Sequence, residues 1–177
     1  MSKIILYDEL DFNGSHKEFA DNISDLADEI FSDAARSLKV HGQHWVAYTE
    51  AKFRGKFKVF GQGDHESLGE LDQKIRSLRL VKEDLKNPEI ILYEHVDYQG
   101  SSRSIEETVN DLTRAGFNDL VSSHKVKQGV WILYQDMNLT GERLITFKGD
   151  QWPNYVPLGW NDKLSSLKPL LNSDFEV

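Results

Sequence analysis

Short runs of apolar residues, separated by turn residues, make up most of this chain. Branched and aromatic side chains gather in runs of four or five, as in residues 90–93 (Ile-Ile-Leu-Tyr) and 130–134 (Val-Trp-Ile-Leu-Tyr). Runs of this length and composition are typical of β-strands. Many short strands at regular spacing predict an all-β chain that folds as a sandwich or a barrel.

The sequence is a tandem duplication. A shift of 86 positions lays residues 4–55 on residues 90–141 without a gap, with matches such as Ile4/Ile90, Tyr7/Tyr93, Trp45/Trp131 and Gly55/Gly141. The charged stretch between the halves ends in Pro88, which cannot donate to a sheet ladder. We therefore predict a first domain at 1–83, a linker at 84–88, a second domain at 89–171 and a tail at 172–177.

A shorter motif occurs twice in each half: a tyrosine, four residues, a second ring, one residue and a glycine. The four copies begin at Tyr7, Tyr48, Tyr93 and Tyr134, and in the last copy Leu139 replaces the second ring. The spacing predicts a hairpin folded back on itself, in which the rings cover the bend and the glycine adopts a positive φ.

A six-residue turn follows two of these motifs in the second half. Residues 118–123 read Asn-Asp-Leu-Val-Ser-Ser and residues 161–166 read Asn-Asp-Lys-Leu-Ser-Ser. Carboxylate, amide, hydroxyl and carbonyl oxygens are the ligands that Ca²⁺ prefers. The matching turns of the first half are 32–37 and 72–77, where Arg36 and Arg76 replace the first serine. Because arginine is cationic and has no acceptor, we expect calcium chemistry in the second half only.

Charge and composition narrow the function. The net charge is −8; residues 1–86 carry 13 basic and 16 acidic residues, and residues 87–177 carry 8 and 13. This balance argues against a nucleic-acid partner. There is no cysteine, and no apolar run reaches the length of a transmembrane segment. The amino terminus lacks a signal-peptide core, so we expect a cytoplasmic protein and leave non-classical secretion open.

Catalytic motifs do not occur, so we expect no enzyme. Residues 41–44 (His-Gly-Gln-His) could suggest zinc, but the second half has no histidine at the matching place, and a solvated hairpin tip is the better interpretation. We expect the scattered histidines to lie at the surface, among them His65 and His124. Trp45 and Trp131 occupy equivalent places and are predicted to pack in the two cores.

Four aromatic motifs, each followed by a serine-containing turn, resemble the βγ-crystallin superfamily from about Ile4 to Leu170. Within it, the chain is most similar to the crystallin portion of the amphibian epidermis-differentiation-specific proteins. The resemblance implies two β-sandwich domains, each of two Greek-key motifs. It also implies two calcium ions in the second domain, each bound between adjacent keys.

The same resemblance implies a set of ligands. Ser122 and Ser165 would contribute hydroxyls, and Asp119 and Asp162 would contribute carboxylates, each to the site centred on the other key. Asn118 and Asn161 would brace the turns through side-chain to backbone hydrogen bonds. The carbonyl ligands would come from Leu120, Lys163, Glu94 and Gln135.

Two alternatives stay open at this stage. The chain could be an interaction module of a larger assembly, such as an aerolysin-type pore-forming one, which a longer gene product or a co-purifying partner would favour. It could also be a calcium-indifferent structural crystallin, which a lack of any calcium effect on stability would favour. A protein partner, a further module after residue 177 and pairing into a dimer are open as well.

Overall fold

The computed structural model describes residues 1–117 and 120–177. The chain divides into two compact units: Met1–Lys82 together with Ser173–Val177, and Glu83–Asn172. Residues 173–177, which we separated as a tail, thus group with the first unit. Each unit is built of antiparallel strands arranged in two sheets, so of the sandwich and the barrel that the strand pattern allows, the fold is the sandwich.

In the first unit the chain alternates between a four-stranded and a three-stranded sheet. Their strand orders are β2-β1-β3-β6 and β5-β4-β7. The strands are β1 (Lys3–Tyr7), β2 (His16–Phe19), β3 (Ser37–His41), β4 (Trp45–Glu50), β5 (Arg54–Phe60), β6 (Gly63–His65) and β7 (Ser77–Leu80). Short 3₁₀ helices lie at Leu10–Phe12, Leu26–Glu29 and Gly69–Leu71.

The second unit repeats this plan, with strand orders β13-β10-β8-β9 and β12-β11-β14. Its strands are β8 (Glu89–His95), β9 (Gln99–Ile105), β10 (Ser123–Gln128), β11 (Val130–Asp136), β12 (Thr140–Phe147), β13 (Gln151–Trp152) and β14 (Ser166–Pro169). Its 3₁₀ helices lie at Val96–Tyr98 and Val156–Leu158.

The aromatic motifs form the folded hairpins that their spacing predicts. The ring centroids of Tyr7 and Phe12 lie 5.7 Å apart and those of Tyr93 and Tyr98 lie 5.6 Å apart, both edge to face. The motif glycines have positive φ, for example 78° at Gly100. These contacts close the bend before the chain enters the next strand.

Each unit has its own apolar core, built from the inward-facing residues of its two sheets. Trp45 and Trp131 are completely buried at its centre, which confirms their predicted place. Two histidine predictions are wrong. His124 is 0% exposed, and His44 is buried at the hairpin tip that we expected to be solvated. His124 tolerates burial because both of its ring nitrogens have partners, the Tyr155 hydroxyl and the Thr146 hydroxyl.

Candidate metal centre

Residues 120–123 and 161–166, the described parts of the two turns of the second unit, lie side by side. The backbone N–H of Asp162 donates to the Val121 carbonyl at 3.3 Å, joining one turn to the other. The first unit has the same link, from the Gln73 N–H to the Ala35 carbonyl at 2.9 Å. In each unit, one backbone hydrogen bond therefore joins the turns of the two Greek keys, although these turns are about 40 residues apart in sequence.

The fifth position of each turn is anchored to the aromatic motif. The backbone N–H of Ser122 donates to the Tyr93 carbonyl at 3.0 Å, and that of Ser165 donates to the Tyr134 carbonyl at 3.0 Å. Both serines are 7% exposed. These bonds bring Glu94 and Gln135, which directly follow the tyrosines, beside the two serines.

The sixth position has a different role, as a clamp on the hairpin. The Ser123 hydroxyl donates to the His95 carbonyl at 2.6 Å and accepts from the Tyr98 N–H at 3.2 Å. The same pair of bonds occurs at the sixth position of the other three turns, Ser37, Ser77 and Ser166. All four of these serines are completely buried, so this hydroxyl belongs to the fold rather than to a ligand set.

In the first unit, arginine side chains bring a positive charge to the fifth position. Arg36 binds Asp72 through two hydrogen bonds, of 3.0 Å from Nε and 3.3 Å from Nη2. Arg76 binds Asp25 in the same way, at 3.2 Å from both Nε and Nη2. The Ala27 N–H and the Arg76 guanidinium hold the pKa of Asp25 below its usual value. In the first unit, an arginine paired with an aspartate thus stands at each position where the second unit has a candidate ligand serine.

Comparison with known proteins agrees with this architecture. The profile of the Beta/Gamma crystallin family matches residues 3–81 and 89–170. The chain belongs to that family. An epidermal differentiation-specific protein of Cynops pyrrhogaster is 33% identical to this crystallin over 170 residues, 96% of the chain and 50% of the relative. The chain therefore spans about half the length of that relative.

Other relatives include human Beta-crystallin B1, 29% identical over 186 residues, which cover 99% of this chain and 71% of the human protein. Among solved structures, a beta gamma crystallin from Ciona intestinalis is 38% identical with a TM-score of 0.43 and covers 46% of this chain and 99% of its own. In the described part of the crystallin chain, no helix has the length and apolar character needed to cross a bilayer.

The structure brings some predicted ligands together and leaves others untested. Asn118 and Asp119 lie outside the described residues. Asp162 is exposed, with a left-handed φ of 56°, and its carboxylate accepts a hydrogen bond from the Asn161 amide at 3.0 Å. The bond that Asn161 makes is therefore to a neighbouring side chain, whereas we predicted one to the backbone.

Of the four carbonyl candidates, Glu94 and Gln135 are half-buried strand residues, whereas the other two lie on exposed turns. Leu120 is 46% exposed, and Lys163 is exposed as well, with its carbonyl 3.5 Å from the Ser165 hydroxyl. Within residues 1–117 and 120–177, no group of three or more acidic or histidine side chains is arranged to hold a metal. A cation here would depend largely on hydroxyl and backbone oxygens.

Asp111 is a carboxylate that the sequence reasoning missed. It is the counterpart of Asp25 at the 86-residue spacing, and the next residue, Leu112, donates its N–H to the Ser165 carbonyl at 2.9 Å. Its Oδ1 accepts the Thr113 N–H at 2.9 Å, as Asp25 accepts the Ala27 N–H at 3.0 Å. The repeated Asp-Leu pair was a signal in the sequence that could have identified it.

Proposed function

We propose that the second unit binds two calcium ions, which join its turns and stabilise a non-catalytic, crystallin-type protein. The first unit has the same backbone plan but supplies its own positive charges. On this proposal the two units share one architecture and differ in where the cation comes from: a side chain in one, the solution in the other.

The arginine pairs of the first unit carry this proposal. The backbone N–H of Arg36 bonds the Tyr7 carbonyl at 2.8 Å, and that of Arg76 bonds the Tyr48 carbonyl at 2.8 Å, as Ser122 and Ser165 bond their tyrosines. Both guanidinium groups meet a carboxylate. At the positions of Asp72 and Asp25 the second unit has Asn161 and Asp111, and at the positions of the arginines it has serines. Oxygen ligands, which suit a free cation, thus replace each built-in positive charge.

The proposed site at Ser122 uses its hydroxyl, the carbonyls of Leu120 and Glu94, and a side chain from the 161–162 pair. In the first unit, Arg36 pairs with Asp72, which is the counterpart of Asn161. This favours Asn161 as the residue that reaches across, with Asp162 holding its amide.

The proposed site at Ser165 uses its hydroxyl and the carbonyls of Lys163 and Gln135. Asp119 remains the predicted ligand from the other key, and we add Asp111 on the strength of the Asp25–Arg76 pair. Neither site would hold more than two carboxylates, which suits micromolar or weaker affinity.

Calcium would act as a staple on the second unit. Binding to the folded state alone stabilises it by RT ln(1 + [L]/Kd), about 2.7 kcal/mol per site when calcium is a hundredfold above Kd. The acidic excess of residues 87–177 favours cation binding through a smaller, long-range term.

Calcium titration calorimetry tests the proposal. The wild type is compared with Ser122→Arg, Ser165→Arg, which copies the substitutions that the first unit tolerates. A matched control, Ser101→Arg, Ser102→Arg, adds the same charge at exposed positions of β9 in the same unit. We expect two binding events in the wild type and the control, and none in the turn variant.

Equal heats in the turn variant and the control would refute the ligand assignment. No heat from the wild type would favour the calcium-indifferent structural crystallin. Circular dichroism of each variant shows whether the β-structure is retained.

A further inference from the structure

The outer edge of β5 in the first unit carries an added strand made by residues 173–177. Val59 and Val177 exchange two backbone hydrogen bonds, each of 3.0 Å, and the Gly61 N–H donates to the Phe175 carbonyl at 2.6 Å. Phe60 and Glu176 face each other in an antiparallel bridge. This is the geometry by which an extended peptide adds to a sheet edge.

Polar side chains of the first unit contact the added strand, and one of these contacts pairs opposite charges. Glu176 forms an ion pair with Lys58, and its carboxylate also lies 3.9 Å from His65 Nδ1. The buried ring of His44 hydrogen-bonds the Asp174 carbonyl through Nε2. The edge thus presents a lysine and two histidines to a segment that carries carboxylates.

Gly61 makes room for the segment. A Cβ at Gly61 would lie 2.8 Å from the Asp174 carbonyl oxygen, closer than real Cβ atoms come, and 3.0 Å from the Phe175 Cα, which is also a tight contact. The counterpart of Gly61 in the second unit is Phe147, which is completely buried. There the equivalent strand, β12, ends its sheet with no further strand among the described residues. Among the described residues, an added strand at this sheet edge therefore occurs in the first unit only.

Residues 173–177 pack loosely against the first unit. Phe175 is 61% exposed and Glu176 keeps 44% of its side chain in solvent, so little apolar surface is buried. Short strands held by a few edge bonds open and close readily. We propose that the β5 edge is a peptide-binding site for an extended acidic segment, and that residues 173–177 are its intramolecular occupant. When the segment leaves, the same edge takes a peptide of the same chemistry from solution.

A labelled synthetic peptide of residues 171–177 tests the site by fluorescence anisotropy. The protein is used as the full chain and as a chain ending at Asn172. We expect saturable binding to the shortened chain, at least tenfold weaker binding to the full chain because its own segment competes, and none when the shortened chain also carries Gly61→Val. Binding that is equal in all three proteins, or absent from a folded shortened chain, would overturn the proposal.

Charge reversal in the full chain gives a test that does not need truncation. Amide hydrogen exchange at Val59 and Gly61 reports whether the edge is covered. Lys58→Glu and Glu176→Lys should each speed this exchange severalfold, and the double variant should restore the slow exchange. Exchange that is unaffected by either single change, or not rescued in the double variant, would show that the edge and the segment do not recognise each other.

Discussion

Acid is expected to unfold the second unit selectively, through His124. This side chain is completely buried, with Nδ1 hydrogen-bonded to the Tyr155 hydroxyl and Nε2 3.0 Å from the Thr146 hydroxyl. Burial disfavours the charged imidazolium and lowers the pKa of His124 from 6.5 to about 3. At the equivalent place the first unit has Leu38, which does not titrate.

The direction and size of the effect follow from proton linkage. Between the folded pKa and the unfolded pKa of 6.5, the unfolded chain binds a proton at His124 that the folded chain does not. Stability therefore rises with pH in this window, and it is lost progressively as the pH falls below 6.5. At pH 5, about 1.5 units below the unfolded value, the loss is about 2 kcal/mol. Little of it is present at pH 7.5.

Urea unfolding at a series of pH values from 7.5 to 5 measures this loss. A Trp45→Phe background leaves Trp131, Trp152 and Trp160 as reporters, all in the second unit, and a chelator removes any calcium contribution. The comparison protein carries His124→Leu, which copies Leu38. Its overall stability will drop because the Tyr155 and Thr146 hydroxyls lose their partner, so the quantity to compare is the slope against pH.

We expect the free energy of unfolding to fall with acid in the histidine protein and to fall about 2 kcal/mol less in the leucine variant. Parallel slopes in the two proteins would refute the reasoning, because they would show that His124 takes up its proton without unfolding the unit.

Three further changes test other features. Ile30, at the end of a 3₁₀ helix, has a φ of 56° and is 94% exposed, and Gly116 stands at the equivalent place. Ile30→Gly should therefore stabilise the first unit by roughly 1 kcal/mol, which calorimetric scans would detect as a higher melting temperature. An unchanged or lower melting temperature would mean that the left-handed turn is not strained. Arg36→Ser, Arg76→Ser should give the first unit a calcium-dependent rise in melting temperature that the wild-type unit lacks, and a unit indifferent to calcium would count against the equivalence of the turns. Asp111→Asn should weaken one calcium-binding event and spare the other in calorimetry, whereas two unchanged events would remove Asp111 from the ligand set.

Much of the architecture could be predicted because it is written in local, repeated patterns. The aromatic motifs and the 86-residue spacing depend on residues close in sequence or on direct comparison of the halves. Arg36 and Arg76 already show in the sequence which unit departs from the serine pattern. Their carboxylate partners could be assigned only in three dimensions.

What escaped prediction depends on distant partners. The burial of His124 requires hydroxyls 22 and 31 residues away, and nothing near it in the sequence announces them. Residues 173–177 look like a polar tail because their partners are the backbone groups of Val59 and Gly61, which leave no trace in composition. Gly61 was visible, but a glycine needed for close approach looks the same in a sequence as one needed for a turn.

In each turn, the residue that closes the hairpin and the residue that differs between the two units are neighbours in sequence. Ser37, Ser77, Ser123 and Ser166 close the hairpins and are buried in all four copies. The side chain just before each of these serines does not close the hairpin, and it is arginine in two copies and serine in the other two. A duplicated unit can therefore change the chemistry of a turn by one substitution while the hairpin clamp stays in place. Such a fold can acquire new side chains at its turns without losing the bonds that stabilise it.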